Sequence, residues 1–120
     1  MPLRQDLAQI IKESKPSNPE SKSFDLDFVF EPNFPIFLGH FPGHPVLPAM
    51  VQIIIAEMTL EAWVGKVCKT QKLRQAKFLH PIVPPCTVNC SVNNIKKYAR
   101  AELKIDNELC ACLEWQYVYE

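Results

Sequence analysis

Excess charge of either sign is missing from this 120-residue chain: thirteen lysines and arginines face thirteen aspartates and glutamates, for a formal net charge of zero. No run of basic residues exceeds two, so the electrostatic footprint of a nucleic-acid binder or an anionic-membrane binder is absent. Long hydrophobic runs are missing as well. The most apolar segment, Val46 to Val64, is broken by Gln52, Glu57 and Glu61, which keeps it short of the roughly 18 uncharged apolar residues that a membrane span needs. With only three glycines there is no phosphate-cradling loop. The five cysteines, at 68, 86, 90, 110 and 112, form no Cys-x-x-Cys pair and no Cys/His quartet, so neither a metal site nor a redox cofactor is expected. Cys110 and Cys112 share a face of any strand they lie on, and all five thiols read as small hydrophobes, free of disulfide or metal duty. The first residues mix charges of both signs and lack the apolar stretch of a secretory signal, which predicts a cytoplasmic protein.

What is present is material for one core: 13.8 kDa with 48% apolar and 10% aromatic residues, expected to form a single domain over residues 1–120. Leu3, Leu7, Ile10 and Ile11 stand at helical spacing and predict a short helix over 2–12. The polar, proline-bearing stretch 15–23 follows as a connector, making 1–23 a peripheral segment. Phe24 to Phe30 alternates apolar and acidic residues, the pattern of a strand with one wet face. Five of the eleven prolines lie between Pro32 and Pro48, which predicts an ordered irregular loop there, and this loop carries His40 and His44. The seventeen residues from Ala49 to Gly65 contain no proline and are apolar around nearly the whole circumference, the mark of a helix buried on most sides and stopped by Gly65. Lys72–Phe78, Thr87–Asn93, Ala101–Ile105 and Leu109–Tyr119 alternate as strands, with Asp106-Asn107 as a hairpin turn. The architecture expected is α+β: one long buried helix wrapped by a curved antiparallel sheet of about five strands.

Two segments carry a family resemblance. Gly39-His-Phe-Pro-Gly-His-Pro-Val-Leu-Pro-Ala49 resembles the Gly-His-Phe-Pro-x-x-Pro-x-x-Pro-Gly signature of the hot-dog-fold 3-hydroxyacyl-acyl-carrier-protein dehydratases, departing from it only at Ala49. Lys77-Phe-Leu-His-Pro-Ile-Val-Pro-Pro-Cys-Thr87 is similar to the family's Lys-Phe-x-x-Pro-Val-x-Pro-Gly-Asp segment. The resemblance implies a hot-dog fold and an acyl-thioester site at a dimer interface, in a homodimer or higher oligomer, with a paralogue as the alternative partner. It implies dehydration of a 3-hydroxyacyl chain on acyl carrier protein or coenzyme A, in the synthesis of fatty acids or related acyl products, without a dissociable cofactor. His40 then takes the base role, which suits an imidazole because its unperturbed pKa lies near neutrality. The helix-start N–H groups at Ala49 receive the thioester oxygen, and Phe41, Gly43, Pro48, Ala49, Met50 and Ile54 are the substrate-binding candidates.

The family's acid position falls on Ile54, which can neither give nor take a proton. Met50, Ile54, Glu57 and Glu61 lie along one helix stripe, so Glu57, one turn on, is the candidate for a relocated acid; the competing reading pairs it with a lysine or arginine. His44 and His80 occupy free positions of the two motifs and read as a solvent-facing and a structural residue. Gln52 reads as a hydrogen-bonding partner of the loop backbone. Met50, Ile55, Met58 and Trp63 are candidates to set acyl chain length, and Lys96, Lys97 and Arg100 to meet a carrier. Two functions stay open at this point: an active dehydratase, and a non-catalytic acyl-binding or partner subunit that has lost its acid.

Overall fold

The structure, a computed structural model, describes residues 3–15, 23–38, 43–95 and 98–119. A short helix α1 (Leu3–Gln9) leads into β1 (Ile11–Lys15) and β2 (Ser23–Phe30). A single 3-10 turn (Pro35–Leu38) precedes the long helix α2 (Ala49–Val64). Four strands follow: β3 (Cys68–Phe78), β4 (Cys86–Ile95), β5 (Tyr98–Ile105) and β6 (Glu108–Tyr119). The six strands form one antiparallel sheet in the order β1-β2-β4-β5-β6-β3, and α2 packs across it against β2, β3, β4 and β5. One helix against one long antiparallel sheet is the architecture that the sequence pattern predicts.

The local causes are legible in the sequence. Gly65 ends α2 in the left-handed region, with φ of 71°, and its N–H returns to the Glu61 carbonyl at 2.9 Å. Asp106 and Asn107 both take positive φ, 50° and 67°, the backbone a two-residue hairpin requires to match strand twist. Val51, Ile55, Ala56 and Leu60 of α2 are buried in one core with Phe28, Val88, Cys90, Val92, Ala101 and Leu103 of the sheet. Ile53, Ile54, Met58 and Trp63 of the same helix are only partly covered, and Met50 is 69% exposed.

The N-terminal segment departs from the sequence expectation. The helix predicted over 2–12 stops at Gln9, and Ile11–Lys15 pairs with β2 as a sixth, edge strand. The outer edge of β2 would otherwise present a row of unpaired backbone groups, and its ladder offers Ile11 and Lys12 partners that a helix end lacks. The Val29 N–H also reaches the Ile10 carbonyl at 3.0 Å. All five thiols are free, and Cys68, Cys90, Cys110 and Cys112 are buried. Burial pushes the Cys86 thiol up to about 11 and the Cys90 thiol up to about 12, so both stay protonated and unreactive at neutral pH.

Candidate functional site

The start of α2 is open. Pro48 stands at its N-cap and supplies no side-chain acceptor, and its carbonyl takes the N–H groups of Val51 and Gln52 at 3.1 and 3.2 Å. The N–H groups of Ala49 and Met50 are therefore not held by a capping side chain, at the end of the helix where the dipole is positive. A cavity of about 310 Å³ lies here, lined by Val46, Leu47, Ala49 and Gln52 from the helix entry and by Phe78, Leu79, His80 and Pro81 from the end of β3. Apolar walls with a few convergent polar groups are the usual makeup of a small-molecule site.

Two sets of hydrogen bonds hold these walls. The Leu47 N–H donates to the Ile82 carbonyl at 2.9 Å, and the buried Gln52 donates from Nε2 to the Leu47 carbonyl at 3.1 Å. Gln52 thus clamps the loop backbone, the role the sequence suggested for it, while its buried Oε1 has no hydrogen-bond partner among the described residues. On the opposite wall, the N–H groups of Leu79 and His80 both donate to the Cys110 carbonyl, at 2.8 and 3.2 Å. Gly43 turns the loop with φ of 84°. A Cβ there would meet no atom within 4 Å, so its backbone conformation, not space, is what calls for glycine. Thr59 is buried further along α2, its hydroxyl donating to the Ile55 carbonyl at 2.8 Å.

The site candidates separate into three groups. Pro48, Ala49 and Met50 stand together at the helix start, and Ile54 follows one turn on, partly buried against the core. His40 and Phe41 lie outside the described residues, as do Lys96 and Lys97. Glu57 goes elsewhere: its Oε1 pairs with Arg4 at 3.2 Å and its Oε2 accepts from Thr70 Oγ1 at 2.5 Å. Glu61 joins it, taking Arg4 at 2.8 Å on one oxygen and the Cys68 N–H at 2.9 Å on the other. Both acids line an open groove of about 850 Å³ toward the far end of α2, with Lys66 and Lys69, and Glu57 is not among the residues lining the cavity at the helix start. A charged groove whose acids are already paired has no free carboxylate to offer a substrate. Sequence reading passed over Arg4 and over the location of His80. The motif that begins at Lys77-Phe78 contains His80, but at a free position, so the sequence carried no signal that brings it to the helix start.

A family model described as ApeI-like, ApeI dehydratase, matches residues 15–114. Among curated relatives, the 3-hydroxyacyl-[acyl-carrier-protein] dehydratase FabZ of Desulforamulus reducens is 34% identical over 71 residues, covering 53% of this chain and 50% of the relative. The enzyme of the same name from Erythrobacter litoralis is 34% identical over 77 residues, covering 57% and 51%. The chain thus spans about half the length of these relatives. The structure of the dehydratase heterocomplex ApeI:P from Xenorhabdus doucetiae superposes with a TM-score of 0.79 at 19% identity, covering 90% of this chain and 96% of that one. This likeness shows the shared hot-dog fold.

Proposed function

The chain belongs to the ApeI-like dehydratase family, and on that footing we propose that it removes water from 3-hydroxyacyl chains held as thioesters on an acyl carrier protein or coenzyme A. The observation that carries this reading is the apolar cavity set against the uncapped start of α2. A thioester carbonyl seated there meets the N–H groups of Ala49 and Met50, donors already aimed at the charge that develops on its oxygen when the α-proton is lost. His40 takes that proton. The electrons of the C2–H bond form the C2=C3 double bond, the C3–O bond breaks, and the hydroxyl leaves as water once it has received a proton. Val46, Leu47, Phe78 and Leu79 supply apolar walls for the chain, and Phe41, Gly43, Pro48, Met50 and Ile54 remain the further substrate contacts that the family resemblance implies. Turnover of 3-hydroxybutyryl and longer thioesters on both carriers tests the proposal. Dehydration on at least one carrier is expected, and absence on both contradicts it.

Ile54 favours a second reading, a partner subunit that binds acyl chains without transforming them, because an isoleucine leaves the family's acid position unable to move a proton. In either reading β3 is the seam for another hot-dog chain, a second copy or a paralogue. It lies at the edge of the sheet with Leu73 and Phe78 exposed, and an open edge of that length is otherwise a template for unwanted pairing.

Glu57→Gln distinguishes a relocated acid from a structural ion-pair residue, and its contacts with Arg4 and Thr70 support the structural role. The variant is expected to lose about 1 kcal/mol of stability in denaturant titration, while turnover stays within about twofold of the parent. Collapse of turnover at unchanged stability would assign Glu57 to the chemistry.

A further inference from the structure

Among the described residues that line the cavity at the helix start, His80 is the one with an ionisable side chain. Its backbone is pinned where β3 ends, by the Cys110 carbonyl that accepts from both Leu79 and His80. Glu108 opens β6 directly after the Asp106-Asn107 turn, and its Oε1 stands 3.4 Å from His80 Nε2. The carboxylate stands beside Nε2 across an exposed contact, so Nδ1 is the nitrogen left to meet a ligand. An imidazole backed by a carboxylate is the recurring arrangement of a working acid or base. No carboxylate stands among the described residues that line the cavity, and the family's acid position is Ile54.

Resting on the dehydratase reading, we propose that His80 is the second catalytic group of this site, the donor of the proton that the departing 3-hydroxyl needs and that Ile54 cannot supply. His40 accepts the proton from C2, and the C2–H electron pair becomes the second bond between C2 and C3. The C3–O bond breaks with its electrons on oxygen, and that oxygen takes the proton of protonated His80 and leaves as water. His40 then releases its proton to solvent and His80 takes one up, which restores both rings. In the direction of hydration, neutral His80 draws a proton from the water that adds to C3. With its side chain 55% exposed, His80 is open to solvent between cycles.

A change of leaving group tests this. A 3-fluoroacyl thioester loses fluoride without needing a proton, whereas a 3-hydroxyacyl thioester of the same length must have its hydroxyl protonated. His80→Gln is expected to slow loss of water by about a hundredfold while loss of fluoride stays within about threefold of the parent, and His40→Ala to lose both. Free imidazole added to His80→Ala is expected to restore part of the water loss, a rescue that a purely structural role would not give. Equal slowing of both substrates without imidazole rescue, or no slowing of either, would overturn the role of His80 and leave the dehydratase reading standing. A parent protein that expels neither water nor fluoride would remove both.

Discussion

Replacing His40 with alanine is expected to lower turnover of a 3-hydroxyacyl thioester by about a hundredfold to ten-thousandfold, the span over which a positioned general base acts. The basis is chemical. The α-proton of a thioester is weakly acidic, and in the proposed mechanism the open helix start would stabilise the oxygen of the enolate without taking the proton itself. Binding of a saturated acyl thioester, which needs no proton transfer, should change little, so the loss should appear in kcat and not in KM. Equal activity of parent and His40→Ala would remove the base assignment. A joint loss of activity and thermal stability would instead give His40 a structural role.

Phe30→Ala should produce the largest loss of stability. Phe30 is fully buried at the end of β2 and meets the rings of Phe34 and Phe37 edge-to-face, at centroid distances of 5.4 and 5.9 Å, while those two rings meet each other at 6.1 Å. Deleting a buried ring costs about 3–5 kcal/mol, part of it lost transfer energy and part the hole left behind. The midpoint of thermal unfolding should therefore fall by on the order of 10 °C or more. Phe30→Leu, which keeps most of the volume, should cost less than half as much. Phe34 and Phe37 lie just ahead of His40 in sequence, so the alanine variant should also lose turnover out of proportion to the fraction unfolded. A midpoint within a few degrees of the parent would show that the three rings do not anchor this segment.

These expectations draw unequally on sequence and structure. The buried helix was legible because seventeen residues without proline end at a glycine, and the β5–β6 hairpin because Asp and Asn tolerate positive φ where few residues do. Both signals are local. The sixth strand was not legible: Ile10-Ile11 continues a helical stripe, and only the unpaired edge of β2, remote in sequence, draws Ile11–Lys15 out of it. The same limit applies to the site. The resemblance drew attention to the helix start, and the cavity lies there, but the partners of Glu57 come from α1 and β3, and no spacing rule links Arg4 or Thr70 to that helix. His80 stood at a free position of its motif. Its approach to the cavity depends on where β3 ends, and its approach to Glu108 on where the hairpin turns.

The proposed chemistry moves protons and water on an acyl thioester in this cavity. Its most direct test is incubation of a 2-enoyl thioester with the purified protein in heavy-oxygen water and deuterium oxide, followed by mass spectrometry of the product. The expected product is a 3-hydroxyacyl thioester with the oxygen label at C3 and one deuterium at C2, formed by the parent protein and not by His40→Ala. Recovery of unlabelled 2-enoyl thioester, on either carrier and with the chain still bound, would contradict it and leave a protein that holds acyl chains without transforming them.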